Sequence, residues 1–273
     1  MAASGTRMNS TLTMMTTTMN KAYDSFAAVY DQLMDDVDYD RWALYYRDLL
    51  LDGQDMKPSD LGRVVECACG TGNLTVRLAR MGFKMLGVDS SGQMLRVAEE
   101  KMRSFGVDCP LIAQDMRKLQ VPGRNAAVLC TCDGLNYLRE PEDVRHFFAA
   151  AARVLRPGGL LCLDLSTRYK LETVIGNAFL GEERPGMAYL WQNTYHAETQ
   201  SVRMDITFFV QEQDGRYRRF REEHRLRAYE PDMLAEMLQA AGFEQIEFFG
   251  GMCMERPKPT DERIHLRARL RRP

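Results

Sequence analysis

The sequence has no long hydrophobic run and almost no net charge. None of its apolar stretches approaches the ~20 residues that a membrane-spanning helix needs. Charged residues make up 27% of the 273 residues but nearly cancel, which leaves a formal net charge of −2 at pH 7. That balance does not favour nucleic-acid binding, because nucleic-acid-binding proteins carry an excess of basic residues. Together with 45% hydrophobic residues, these features exclude membrane-spanning, collagen-like and fully disordered proteins.

The first 20 residues lack the apolar segment of a secretory signal, and they are rich in Met, Thr and Ser without an amphipathic period. We predict that residues 1–20 form a disordered tail. The seven cysteines are an odd number, so we expect reduced thiols and a cytoplasmic protein. The one-residue spacing within the pairs Cys67/Cys69 and Cys130/Cys132 is not that of a zinc knuckle, and we expect no metal site.

Short apolar segments alternate with helical patterns along residues 63–168. This alternation predicts a parallel sheet that is covered by helices on both faces. Helical spacing within residues 21–62 predicts a helical cap before this core. Three strand-like runs predict an antiparallel β insert over residues 169–229, and a helix with two closing strands over residues 230–273 completes the core.

The first predicted strand leads directly into the segment Glu66-Cys67-Ala68-Cys69-Gly70-Thr71-Gly72. Glycines at a strand-to-helix turn allow a ligand to approach the backbone, and the following helix offers free amides. Thr75 stands where a dinucleotide fingerprint has its third glycine, so that fingerprint is incomplete. Asp89 ends the second strand, where a carboxylate can accept hydrogen bonds from ribose hydroxyls. A tight turn followed by a helix cap is the alternative, but the features in this order favour a nucleoside site.

With these features, the stretch from Val64 to Asp164 resembles the class I S-adenosylmethionine-dependent methyltransferases. The segment from Glu66 to Gly72 is similar to the first motif of the family, with Ala68 where glycine is commoner. Arg156-Pro157-Gly158-Gly159 is also typical of the family. The resemblance implies that Asp89 binds the ribose of the cofactor.

The segment Gln114-Asp115-Met116 resembles the part of the family that lies beside the adenine ring. The resemblance implies that Asp115 accepts a hydrogen bond from the exocyclic amine and that Met116 lies against the ring. It also implies the fold: an α/β, Rossmann-like, doubly wound, mostly parallel seven-stranded sheet, with an antiparallel β insert (a lid) after the fifth strand. Residues 63–168 would then bind S-adenosyl-L-methionine.

A second resemblance covers nearly all of the chain after Met19. The motifs Tyr23-x-x-Phe26-Ala-x-Val-Tyr30-Asp31 and Glu223-His224-x-x-Arg227-x-Tyr229 resemble an uncharacterised bacterial group of small-molecule-type methyltransferases. Sugar-amine N-methyltransferases share parts of this layout. The resemblance implies that the first helix closes over the methionine end of the cofactor. The residues that the two resemblances assign to the cofactor are Tyr23, Tyr30, Glu66, Ala68, Gly70, Gly72, Asp89, Ser90, Asp115, Met116 and Cys132.

Methyl transfer requires alignment of the acceptor with an activated methyl group, and it requires a base only if the acceptor arrives protonated. After the fourth strand, Asp133, Asn136 and Tyr137 are candidates to orient the substrate, and a capped turn with a packed tyrosine is the alternative. His224 is the candidate base. Period-two alternation places Glu222 on the same strand face, where a Glu–His pair would raise the pKa of the imidazole. A solvated ion pair on the outer side of the insert is the alternative.

Four further aromatic and imidazole side chains carry weaker expectations. Trp191 and Tyr195 share one strand face, and they either roof the cleft or pack within the sheet. We expect His146 on a helix surface and His265 on an edge strand.

The sequence therefore predicts an S-adenosylmethionine-dependent methyltransferase that acts on a nitrogen or oxygen atom of a small-molecule acceptor. We expect no nucleic-acid or membrane partner, and the oligomeric state stays open. Arginine-rich stretches over residues 216–221 and 267–272 keep methylation of RNA or of a protein as the alternative. A non-catalytic cofactor-binding scaffold is a third possibility.

Overall fold

The computed structural model describes residues 26–272, so the predicted tail over residues 1–20, and Tyr23, lie outside the described residues. The strands of the described chain are β1 (Arg63–Cys67), β2 (Lys84–Asp89), β3 (Leu111–Ala113), β4 (Asn125–Cys130), β5 (Leu155–Ser166), β6 (Phe179–Arg184), β7 (Met187–His196), β8 (Ser201–Gln211), β9 (Tyr217–Arg227), β10 (Phe243–Gly250) and β11 (Arg263–Leu270). Its α-helices are α1 (residues 26–33), α2 (Tyr39–Leu51), α3 (Pro58–Leu61), α4 (Asn73–Arg80), α5 (Gly92–Ser104), α6 (Pro141–Val154) and α7 (Pro231–Ala240).

Seven strands form one sheet in the order β10-β11-β5-β4-β1-β2-β3. β1 pairs in parallel with β2 and β4, and β4 pairs in parallel with β5, whereas β11 is antiparallel to both of its neighbours. The strand order reverses between β1 and β4, and in doubly wound sheets ligands bind outside the carboxyl ends of the strands at such a point. The predicted Rossmann-like, mostly parallel, seven-stranded sheet is confirmed.

Helices cover both faces of this sheet. Val64 packs into the hydrophobic cluster that contains α2 and α4, while the next residue, Val65, packs into the cluster that contains α6 and α7. Successive strand residues point to opposite faces, so the two clusters lie on opposite sides. The helices begin where the sequence supplies caps, since the Ser91 hydroxyl accepts a hydrogen bond from Met94 N at 3.3 Å at the start of α5.

The four remaining strands form a separate antiparallel sheet in the order β6-β7-β8-β9, inserted in the chain after β5. The predicted insert is therefore confirmed, with one strand more than the three strand-like runs in the sequence. β6 was missed because five of its six side chains are exposed, which leaves no alternation of apolar and polar residues to reveal it. On β8 every second residue from Val202 to Phe208 is buried, so one face of the insert packs inward.

The expectations for His146 and His265 have different outcomes. His146 lies on the surface of α6 with 60% of its side chain exposed, as expected. The expectation for His265 is wrong: β11 lies between β10 and β5, and His265 is fully buried. The last strand of the chain returns to an interior position of the sheet, which position in the sequence does not reveal. Across residues 26–272, no helix is both long enough and apolar enough to cross a membrane.

Candidate active site

A cavity of about 250 Å³ opens at the carboxyl ends of β1, β2 and β4. This is the crevice that the strand order creates. Side chains of α1 and β9 close it from the other side, so the insert and the first helix both contribute to its walls. Of the residues assigned to the cofactor from the sequence, those that line this cavity are Tyr30, Glu66, Ala68, Gly70, Asp89, Ser90, Met116 and Cys132.

The loop after β1 follows a backbone path that favours glycine. Ala68, Gly70 and Gly72 have φ values of 53°, 54° and 75°. The left-handed conformation costs an L-residue about 1–2 kcal/mol, so Ala68 is strained at a position where glycine would not be. Gly72 does not line the cavity: a Cβ there would lie 2.8 Å from Met102 Cε and 3.2 Å from Ala98 Cβ. Gly72 therefore allows the loop to pack against α5 rather than contacting the ligand itself.

The Asp89 carboxylate is held by two backbone amides. Gly70 N donates to its Oδ2 and Ser91 N donates to its Oδ1, each at 2.8 Å. Burial raises the pKa of Asp89, and the backbone donors partly offset that effect. Each oxygen keeps acceptor capacity beyond one backbone bond, which suits two hydroxyl donors of a ribose.

Glu66 is a buried carboxyl at the base of the cavity, and only 2% of its surface is exposed. It accepts hydrogen bonds from the Thr75 and Thr131 hydroxyls, the latter at 3.0 Å. Burial raises the pKa of Glu66 to about 7, against the opposing effect of the two threonines. A cation bound in the cavity would favour its charged form.

A second cavity of about 370 Å³ adjoins the first and shares Ala68, Asp89, Ser90, Met116 and Tyr137 with it. Asp115 lines only this second cavity. Its carboxylate binds Arg117 through both oxygens, at distances from 2.6 to 3.0 Å, and these hydrogen bonds lower the pKa of Asp115. Met116 and Asp115 are thus adjacent in the second cavity, and the sequence resemblance is what assigns them to the adenine end of the cofactor.

The turn after β4 is strained, because Cys132 and Asp133 have φ values of 54° and 65°. The Asp164 carboxylate holds this turn by accepting hydrogen bonds from Cys132 N at 2.6 Å and Asp133 N at 3.3 Å. Arg263 forms ion pairs with both Asp164 and Asp133. Ser166 Oγ also donates to Asp133, at 2.7 Å. Three polar side chains thus fix the backbone that presents Cys132 to the cavity.

Asp133 itself does not line the cavity. Burial would raise the pKa of its carboxyl, but Arg263 and Lys170 outweigh that effect and hold the pKa below its usual range. Asn136 is also directed elsewhere, since its amide donates to the carbonyls of Ser166 and Arg227 at 3.1 and 2.8 Å. Of the three polar candidates after β4, the structure brings only Tyr137 to the cavity.

His224 lines the cavity beside Tyr137 and Phe26. Its Nδ1 lies 3.1 Å from the Tyr137 hydroxyl, and its ring centroid lies 5.2 Å from that of Phe26. Its other nitrogen, Nε2, is buried and has no hydrogen-bond partner in the part of the chain that the structure describes. Burial lowers the pKa of His224, so the imidazole is neutral at pH 7 and Nε2 can accept a proton.

The expectation that Glu222 pairs with His224 is wrong. Both side chains lie on the inner face of β9, as predicted, but no hydrogen bond joins them: Glu222 Oε1 and His224 Nε2 are unpartnered among the described residues. The pKa of the imidazole is lowered rather than raised, because burial dominates it and Glu222 does not contribute. The alternative of a solvated pair on the outer side is also wrong, since only 7% of Glu222 is exposed.

An ion pair that the sequence did not reveal fastens α1 to the cofactor loop. Asp31 accepts hydrogen bonds from Thr71 Oγ1 at 2.6 Å and Asn73 Nδ2 at 2.9 Å, and its other oxygen lies 2.7 Å from Lys101 Nζ. These residues are far apart in sequence, and charged residues on α1 and α5 are by themselves typical of solvated helix faces. The ion pair positions Tyr30 of α1 over the cavity.

Tyr39, Asn73 and Gly134 also line the cavity and were missed. Gly134 alone had a detectable signal, a glycine in the turn after β4: a Cβ there would lie 2.7 Å from Cys130 Sγ. Trp191 and Tyr195 pack against the hydrophobic clusters of the insert, and neither lines the cavity. Within residues 26–272, no group of three or more His, Cys, Asp or Glu side chains could hold a metal ion.

Comparisons with known proteins agree with this geometry. Residues 64–159 match the methyltransferase domain family. A methyltransferase-family protein of Geobacillus sp. strain WCH70 is 34% identical over 242 residues, which are 89% of this chain and 97% of the relative. The crystal structure of an S-adenosylmethionine-dependent methyltransferase from Clostridium acetobutylicum superposes with a TM-score of 0.81 at 30% identity, covering 92% of this chain and 99% of that chain.

The S-adenosylmethionine-bound structure of CalS10, an amino pentose methyltransferase from Micromonospora echinaspora, shares the fold with a TM-score of 0.69 at 22% identity, covering 88% of this chain and 96% of that chain. The chain belongs to the class I S-adenosylmethionine-dependent methyltransferases. It is an enzyme that uses S-adenosylmethionine as its methyl donor. The residues fit this cofactor, because the crevice combines a carboxylate at Asp89 that can accept ribose hydroxyls with a buried carboxyl at Glu66 that can pair with a cationic group.

Proposed function

We propose that the enzyme transfers the methyl group to a nitrogen or oxygen atom of a small molecule, with His224 as the base. The observation that carries this proposal is the unpartnered, buried Nε2 of His224 in the wall of the cavity. A buried polar atom without a partner is costly, and in an active site it is most simply explained by a ligand that completes its hydrogen bonding. The acceptor group is that ligand in our proposal.

The chain supplies alignment and a proton acceptor. When bound, S-adenosylmethionine supplies an electrophilic methyl carbon on a sulfonium. Tyr137 positions His224 through the contact between its hydroxyl and Nδ1, which leaves Nε2 to take the proton of the acceptor. Since burial lowers the pKa of His224, the base is ready without a preceding deprotonation at neutral pH. Phe26 packs on the imidazole ring and restricts its rotation.

The size and lining of the site favour a small acceptor. The acceptor end of the cavity is walled by the aromatic side chains of Phe26, Tyr30 and Tyr137 together with His224, below α1 and β9. Concave, largely apolar sites of a few hundred Å³ suit small molecules rather than polymer segments. The CalS10 neighbour, an amino pentose methyltransferase, supports the same class of acceptor by analogy of fold alone.

The arginine-rich stretches give little support to an RNA acceptor, because many of their guanidinium groups are paired with carboxylates. Arg216 binds Asp214, and Arg218 binds Glu212. Near the C-terminus, Arg267 and Arg269 both bind Asp52. Such intramolecular pairs lower the positive potential that phosphate binding requires.

The test is production of S-adenosylhomocysteine by the purified protein with three separate acceptor fractions: small metabolites, total RNA and protein. We expect product with the metabolite fraction. Product with only RNA or protein would overturn the proposed acceptor class. Once an active metabolite is known, His224→Asn is expected to lower turnover by roughly 10²–10⁴-fold with S-adenosylhomocysteine affinity preserved. The exposed His146→Asn is the matched control, and wild-type turnover in His224→Asn would remove the base from the mechanism.

A further inference from the structure

Two buried polar atoms without partners lie on the same face of β9, and the proposed function uses only one of them. Glu222 Oε1 is the second: it has no hydrogen-bond partner within the described residues. Opposite Glu222 and His224 on β8 stand Ile206 and Met204, both buried, so this strand face is apolar around the carboxyl. Glu222 is not among the residues that line the cavity, but same-face neighbours on a strand are about 7 Å apart, so it stands next to the cavity-lining His224 on this face of β9.

No charge or hydrogen bond from residues 26–272 compensates the carboxyl of Glu222. Burial raises the pKa of this carboxyl to about 7, and no other described group contributes to the shift. The charged residues next to it in the chain, Arg221 and Glu223, point to the other face, where Arg225 pairs with Glu223 at 2.7 Å. A buried, unpaired carboxyl of this kind is destabilising, and proteins retain such groups chiefly at functional sites.

We propose that Glu222 is a specificity-determining residue that binds the positive charge of the acceptor, and that the acceptor is therefore an aliphatic amine. This inference rests on the proposed function and narrows it from nitrogen or oxygen to nitrogen. A hydroxyl acceptor would leave the carboxyl without its counter-charge. An ammonium group supplies that charge, and it also has the proton that His224 Nε2 is placed to take.

The transfer step balances in protons and charge. The ammonium of the acceptor gives one proton to His224 Nε2, which becomes the imidazolium. The nitrogen lone pair then forms the new bond to the methyl carbon, and the carbon–sulfur bond breaks with its electron pair left on sulfur. The methylated nitrogen is a cation again after the transfer, so Glu222 stabilises the acceptor before and after the reaction.

The binding test uses the full-length protein saturated with S-adenosylhomocysteine, with cyclohexylamine and cyclohexanol as probes. The two probes have the same ring and differ in charge at pH 8. We expect cyclohexylamine to raise the melting temperature of the complex, and cyclohexanol at equal concentration to have little effect. Glu222→Gln should lose the shift with cyclohexylamine. The neighbouring Glu223→Gln, an exposed carboxylate on the other face, should keep it.

Stability without a probe separates recognition from a structural role. Because Glu222 Oε1 has no hydrogen-bond partner in the described part of the chain, we expect Glu222→Gln to melt no lower than the wild type at pH 8. A large fall in melting temperature would indicate a structural role and overturn the proposal, as would equal shifts with both probes.

Turnover with different acceptors distinguishes this inference from the proposed function on which it rests. Methylation of hydroxyl metabolites alone would overturn the assignment of an amine acceptor but would agree with a small-molecule acceptor. Methylation of RNA or protein alone would overturn both.

Discussion

Asp89 and Gly70 are joined by a hydrogen bond of 2.8 Å from the backbone amide of the cofactor loop to the carboxylate at the end of β2. This bond connects the loop after β1 to the end of β2 at the wall of the cavity, and it orients the carboxylate that we assign to the ribose. The loop and its acidic partner are therefore one unit, although 18 residues separate them in the sequence.

Asp89→Ala is expected to weaken binding of S-adenosylhomocysteine by at least about tenfold. The variant loses charge-assisted hydrogen bonds to the ribose, each worth about 1.5–3 kcal/mol, and it also frees the Gly70 amide. Titration calorimetry measures the effect. Asp108→Ala, which removes an exposed aspartate before β3, is the control. Unchanged affinity in a folded Asp89→Ala protein would disprove the ribose assignment.

The raised pKa of Glu66 predicts that cofactor binding depends on pH. Since the pKa of Glu66 is raised to about 7 in the unliganded protein, its carboxyl is largely protonated at about pH 6 and ionised at about pH 8.5. A hydrogen bond from the ammonium of the cofactor favours the ionised form and lowers the pKa. Binding should therefore release a proton at about pH 6 and almost none at about pH 8.5.

Calorimetry of S-adenosylhomocysteine binding in two buffers with different ionisation enthalpies counts the released protons. Glu66→Gln should abolish the difference between the buffers, because glutamine has no proton to lose. Thr75 and Thr131 can still hydrogen-bond the amide, so the variant is expected to fold. Proton release that persists in Glu66→Gln would point to another group.

The contact between Asp31 and Lys101 predicts a coupling between α1 and the cofactor. Lys101→Met removes a cation that lies 2.7 Å from Asp31, so the helix should detach more readily from the cofactor loop. We expect S-adenosylhomocysteine affinity to fall roughly tenfold, together with faster hydrogen exchange in residues 26–33. Arg103→Met, which breaks an exposed pair with Glu99 on the same helix, should change neither. Normal affinity with unprotected residues 26–33 would show that α1 does not hold the cofactor.

Replacement of Arg263 is expected to cause a large loss of stability. Arg263→Met leaves the buried carboxylate of Asp164 and the half-buried carboxylate of Asp133 without their counter-charge, which is expected to cost about 3–5 kcal/mol in the free energy of unfolding. Arg225→Met removes an exposed ion pair and should cost less than about 1 kcal/mol. Urea unfolding measures both. If the unfolded fraction of Arg263→Met is too large, Arg263→Lys keeps the charge and should retain part of the stability. A cost below about 1 kcal/mol for Arg263→Met, as small as that expected for Arg225→Met, would contradict the role assigned to Arg263.

The sequence by itself determined the core of the fold and the place of the predicted cofactor site. Alternating apolar and helical segments over residues 63–168 specify a parallel sheet, since each strand must be buried on both faces. Residues that can bind a nucleoside follow the ends of such strands, so spacing pointed to Gly70 and Asp89, and both line the cavity. The resemblance to a known family supplied Glu66, Met116 and Tyr30, which line the same cavity, beyond what spacing could show.

Only the tertiary structure decided how side chains from distant segments meet. Strand alternation placed Glu222 and His224 on one face, but it could not show that the face is buried, and burial reverses the expected shift in the pKa of His224. Asp133 was a candidate catalytic residue from the sequence, but in the structure it binds Arg263, which lies 130 residues away. Burial and long-range ion pairs depend on which elements pack together, and local sequence patterns carry no information about that packing.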